Sequence, residues 1–89
     1  MAEAKSGLEP AITFPTFLIS LASAVVIHLG EAPSPDTGKV EKNLPLAKQT
    51  IDLLTILQDR TRGNLSNEEQ QLLQSLLYDL RVRYVSASR

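Results

Sequence analysis

The chain has no cysteine and no tryptophan, a single histidine, a single methionine, two phenylalanines and two tyrosines. Without cysteine there is no disulfide, no thiolate metal ligand and no thiol nucleophile, and the chain suits a reducing compartment. A lone His28 has no second imidazole with which to build a metal set. So few aromatics leave little with which to stack on bases or sugars, and the core falls to Leu, Ile, Val and Ala. An excess of one charge is also missing. Nine Lys and Arg stand against ten Asp and Glu, for a net charge of −1. No overall field therefore steers the chain to nucleic acid or to anionic lipid. These absences predict a protein without catalytic constellation, metal or cofactor.

What is present is 43% hydrophobic residues spread over 89 positions, enough for one small domain. A chain of this size buries only ~60–65% of the surface its unfolded form exposes, so a monomer is marginal. The pattern predicts a polar, disordered tail over residues 1–12, a single all-α domain over 13–86 and a frayed end over 87–89. Three helices are expected, at about 14–29, 44–62 and 67–86. Thr13 caps the first, with Pro15 in its first turn and Gly30 behind its end. Asn43 caps the second, which has Pro45 in its first turn and Gly63 beyond it. Ser66-Asn67-Glu68-Glu69 is a capping box for the third.

Between the first two helices lies a 13-residue loop, Gly30 to Lys42. It is long for a bundle connection, and its Pro35-Asp36-Thr37-Gly38 run marks a turn. Only Gly63-Asn64-Leu65 separates the second and third helices, which makes them an antiparallel hairpin. On the second helix, Leu46, Thr50, Leu53 and Leu57 form one row and Ala47, Ile51 and Leu54 the next. Lys48, Asp52, Thr55, Asp59 and Arg62 occupy the opposite side. On the third, Leu72, Leu73, Leu76, Leu77, Leu80 and Tyr84 make the apolar stripe, and Asp79 and Arg83 pair at i,i+4.

The first helix does not fit a three-helix monomer. No charged residue occurs between Glu9 and Glu31. Its polar strip is thin, consisting of Thr16, Ser20 and Ser23. Packing on a hairpin leaves about half of a helix to water, and an apolar helix does not tolerate that. Exposing Ile19 and Val26 forgoes roughly 1.5–3 kcal/mol each. The expected interface with another chain is Phe17, Ile19 and Val26, with Ser20, Ser23 and Ala24 permitting close approach. Tyr78, Val82 and Val85, off the main stripe of the third helix, are expected to join it. A symmetric homodimer is the simplest assembly. The long loop also allows the first helix to swap onto a partner's hairpin.

Two alternatives compete with this cytoplasmic homo-oligomer. The uncharged run Ile12 to Leu29 reaches 18 residues, the lower limit for a membrane-spanning helix. Pro15, His28 and the Ser and Thr residues weigh against that, as do flanks without a positive-inside bias. Ala22-Ser23-Ala24 has the small-x-small form of a signal cleavage site, but the preceding region carries Glu3 and Glu9 against one Lys5. The second alternative is a nucleic-acid accessory protein using Arg81, Arg83 and Arg89 beside Tyr78 and Tyr84. Asp79 offsets part of that charge.

Other motifs fail on spacing. Gly38-Lys39 has Pro33 and Val40 where a phosphate loop needs Gly and Ser or Thr. Asp36-Thr37-Gly38 has the letters of an aspartic-protease loop without the sheets that chemistry needs. Asn64-Leu65-Ser66 is a glycosylation sequon whose Ser is better used as a helix cap. His28 sits in the last turn of the first helix, where a protonated ring meets the dipole favourably.

Longer blocks carry a resemblance. They are Phe17-Leu18-Ile19-Ser20-Leu21-Ala22, His28-Leu29-Gly30-Glu31, the run Asn43 to Leu54 (NLPLAKQTIDLL), Gly63-Asn64-Leu65 and Leu77-Tyr78-Asp79-Leu80-Arg81. Together they resemble the bacterial family catalogued as domain of unknown function 1844, over about Phe14 to Val85. The resemblance implies a bacterial, cytoplasmic protein and brings no activity, cofactor or catalytic residue with it. Lys48, Asp52, Arg81 and Arg83 are the expected partner-binding polar residues. Tyr78-Asp79-Leu80-Arg81 is expected to set a Tyr hydroxyl and an ion pair where the helices meet.

Overall fold

The computed structural model describes residues 12–89, so the tail expected over 1–12 lies outside the described residues except for Ile12, which is exposed. The described residues form three helices, α1 (Phe14–His28), α2 (Leu44–Arg60) and α3 (Asn67–Ala87), each packed on the other two. They contain no β-strand, only an isolated antiparallel bridge between Leu29 and Lys42.

All three helices begin as their local chemistry dictates. The Thr13 Oγ1 accepts the Thr16 N–H at 3.2 Å, and the Asn43 Oδ1 accepts the Leu46 N–H at 3.1 Å. At Ser66 the capping box is reciprocal: the Glu69 N–H donates to Ser66 Oγ at 3.1 Å, and the Ser66 N–H donates to Glu69 Oε1 at 3.0 Å. Each cap satisfies donors that a helix start otherwise leaves to water.

The end of α1 is a Schellman turn. Gly30, at φ +80°, lets its own N–H reach the Ile27 carbonyl at 3.0 Å and the Glu31 N–H reach the Val26 carbonyl at 3.1 Å. The chain then closes a loop on itself, because the Asn43 N–H donates to the His28 carbonyl at 2.7 Å. The loop's two ends are therefore adjacent, and α1 packs on the hairpin of the same chain. Within the loop the turn uses Ser34 and Thr37, whose hydroxyls accept the Asp36 and Lys39 N–H groups, rather than the Asp36 carboxylate. Helix α2 stops two residues short of the expected end. Thr61 turns its hydroxyl back to the Leu57 carbonyl at 2.6 Å, and its own carbonyl accepts the Asn64 N–H in a turn. Helix α3 runs one residue beyond expectation, closed by Ser88 on the Tyr84 and Val85 carbonyls.

Helices α2 and α3 are antiparallel, as the short linker requires: Arg81 bonds to Thr55, and Gln74 lies beside Gln58. The core comprises Leu18, Ala22, Val25 and Leu29 from α1 and its end, Ala47, Ile51 and Leu54 from α2, and Leu73, Leu77 and Leu80 from α3. On α3 the expected stripe is the observed one. On α2 the core row is Ala47, Thr50, Ile51 and Leu54, whereas Leu46 and Leu53 of the expected apolar rows are exposed. Burying Thr50 is inexpensive because its hydroxyl donates to the Leu46 carbonyl at 3.0 Å. With Ala47 and Thr50 small, α1 can come close to α2.

Leu18 has no exposed surface, so Leu18→Ala should lower unfolding free energy by about 2–5 kcal/mol in chemical denaturation. Gly30→Ala forces a left-handed residue and should cost about 1–2 kcal/mol, read in the same way.

Candidate interaction surfaces

A sizeable set of large apolar side chains stays outside the core, and the helices sort it into distinct places. Ile19, 53% exposed, lies on the flank of α1 that faces α3. It lines a groove of about 440 Å³ with Ser23, Val26, Pro33 and Pro35 on one side and Leu76 and Arg83 on the other. Tyr78, Val82 and Val85, exposed by 74%, 51% and 52%, lie on the other flank of α3. They line a second groove of about 670 Å³ that reaches Gln58 on α2. The two grooves have no residue in common. Tyr78 and Val82 thus line a groove separate from the one that Ile19 lines. Asp79, Leu80 and Arg83 of α3 line the first groove, and Leu77, Arg81 and Val82 line the second. A third exposed set, Leu46, Leu53 and Ile56, runs along α2.

The remaining α1 residues divide similarly. Phe17 is 41% exposed and meets Phe14 at a ring-centroid distance of 6.5 Å. Ser20 and Ser23 are exposed, and the Ser20 hydroxyl is used within the helix, donating to the Thr16 carbonyl at 3.0 Å. Ala24 is half-buried. Val26 is partly buried and packs against the core, so it belongs to the fold as well as to the groove. A charge at Val26 would disturb the monomer, which makes Ile19 the better probe of this surface.

The polar residues have mainly intramolecular partners. Lys48 and Asp52 form an exposed i,i+4 pair at 3.0 Å. The hydrogen bond to Asp52, then the Asp52 charge, raise the Lys48 ammonium above its ordinary value. The Arg81 guanidinium donates to Thr55 Oγ1 at 2.8 Å and so ties α3 to α2. The Thr55 hydroxyl in turn donates to the Ile51 carbonyl, placing Thr55 at the helix junction rather than on the solvent face. Arg83 points to the other side. Its Nε donates to Asp79 at 2.8 Å, and its Nη1 donates to Glu31 at 2.6 Å. The bonds to Asp79 and then to Glu31 raise its already high pKa, so the guanidinium stays charged. This pair staples the start of the long loop to α3. Of the Tyr78-Asp79-Leu80-Arg81 block, Asp79 pairs with Arg83 outside it, Arg81 bonds to Thr55 instead of forming an ion pair, and Tyr78 is exposed.

Arg81 and Arg89 line the α2/α3 groove, whereas Arg83 lines the α1/α3 groove. The arginines expected to act together on nucleic acid are divided in the same way as the apolar residues. Among the described residues no group of three or more His, Cys, Asp or Glu is placed to hold a metal ion. No helix among them is long and apolar enough to cross a membrane. Helix α1 has only 15 residues, about 22 Å, against a hydrocarbon thickness of ~30 Å. The spanning alternative therefore loses its helix, because the uncharged run is divided between extended chain, helix and turn.

The family profile described as Domain of unknown function (DUF1844) matches residues 11–86. The chain belongs to that family. The match takes in nearly all of the three helices and every residue lining the two grooves except Arg89. No curated protein and no solved structure matches the chain.

The Arg83 staple gives a local prediction. In Arg83→Ala, amide exchange should accelerate in the loop at residues 32–39 while the core amides of α1 keep their protection. Unchanged loop exchange would show that the closing backbone bonds hold the loop without Arg83.

Proposed function

We propose that this DUF1844 chain is a small self-associating helical module of the bacterial cytoplasm that works by binding or scaffolding, without catalysis. One observation carries this reading: four of the ten large apolar side chains exposed among the described residues, Ile19, Tyr78, Val82 and Val85, line two grooves. Isolated exposed apolar residues are ordinary, but contiguous exposed patches mark surfaces that meet other molecules. Ile19 and Ser23 across from Leu76, and Tyr78, Val82 and Val85 along α3, are patches of that kind. A homodimer is the simplest assembly, and a second surface then remains for a different macromolecule. A sequence without cysteine suits a reducing compartment.

The test is mass in solution. Light scattering should give a multiple of 9.8 kDa for the native chain. The double variant Ile19→Glu with Val82→Glu should fall to the single-chain mass while keeping its helical circular dichroism. A native chain that stays monomeric at millimolar concentration contradicts the proposal.

A further inference from the structure

We propose that α3 is the seam of a two-fold homodimer, pairing antiparallel with α3 of a second copy; this rests on the self-association proposed above and specifies its geometry. The outward residues of α3 and its end recur at the spacing of a coiled coil. Ser75, Tyr78, Val82, Val85 and Arg89 follow one another at intervals of three, four, three and four, and all are exposed. That is an alternating a/d seam, with β-branched Val82 in an a position, where two-stranded pairing favours it. The seam is separate from the core stripe, since Leu73, Leu77 and Leu80 lie on the other side of the same helix.

Charge fixes the direction. The first turn of α3 holds Glu68 and Glu69 with no basic residue. Residues 81–89 hold Arg81, Arg83 and Arg89 with no acid. Two such helices side by side in parallel set like charge against like. Antiparallel, the acidic head of each meets the basic tail of the other, and the macrodipoles also oppose favourably. Setting a positions against d positions places the two-fold axis beside Leu80. Tyr78 of one copy then lies on Val82 of the other, in the hollow lined by Leu77 and Gln58. Ser75 meets Val85, and Arg89 meets Gln71 one turn from Glu68. Near the axis the like charges are already drawn aside, Arg81 toward Thr55 and Asp79 toward Arg83.

The chain has no cysteine, so introduced thiols report without background. Ser75→Cys and Val85→Cys each replace an exposed residue. In the antiparallel dimer residue 75 and its copy are ten residues apart along the seam, about 15 Å, and so are residue 85 and its copy. A short bismaleimide should therefore link a mixture of the two variants efficiently, joining position 75 of one copy to position 85 of the other, and link neither variant alone. Linking within each single variant and not across the mixture means a parallel seam and overturns the proposal. A native chain of dimeric mass with no linking in any sample also overturns it, while leaving self-association standing; monomeric mass removes both. As an independent readout, Val82→Glu should give a folded monomer and Ile19→Glu a dimer, and the reverse result moves the seam to α1.

Discussion

A helix without charge cannot leave most of its circumference in water, and α1 is such a helix. Its inner side, Leu18, Ala22 and Val25, is fully used by the core. Packing α1 on both hairpin helices covers part of each flank and half-buries Leu21, Ala24 and Val26. It leaves Ile19 outside because α2 and α3 are only two helices wide. The small residues Ala47 and Thr50 on α2 serve the same constraint, since they let α1 approach closely. The Schellman turn at Gly30, the bond from Asn43 to His28 and the Arg83 staple then hold the long connection against the end of the bundle.

The same geometry explains why the leftover apolar surface is divided. Helix α3 sits between α1 and α2 contacts, with a core stripe along one side. Its flank toward α1 carries Leu76 and Arg83; its flank toward α2 carries Tyr78, Val82 and Val85. Two independent surfaces on so small a protein suit a module that meets its own copy on one and another molecule on the other.

Much of the fold was legible in the sequence because its determinants are local. Thr13, Asn43 and Ser66 announce helix starts through side chains that reach only three residues ahead. Gly30 marks the end of α1 through a backbone conformation few other residues adopt, whereas α2 ends earlier than Gly63 suggests, at Arg60. The core stripe of α3 follows from the spacing of its leucines. The stripe of α2 did not, because that helix carries apolar residues on more than one side. Which side is buried depends on where α1 docks, and that is a tertiary fact. Arg81 with Thr55 and Arg83 with Glu31 were illegible for the same reason: 26 and 52 residues separate the partners. The surfaces were legible as residues and not as places. Ile19, Tyr78 and Val82 are exposed as their patterns required, but the sequence does not reveal that they line separate grooves.

If apolar surface left by three helices is covered by a second copy, folding and assembly are linked by mass action. The thermal midpoint of the native chain, followed by circular dichroism from about 5 µM to about 500 µM, should then rise with concentration, because the partner binds only the folded form. A midpoint that does not move across that range would contradict the account.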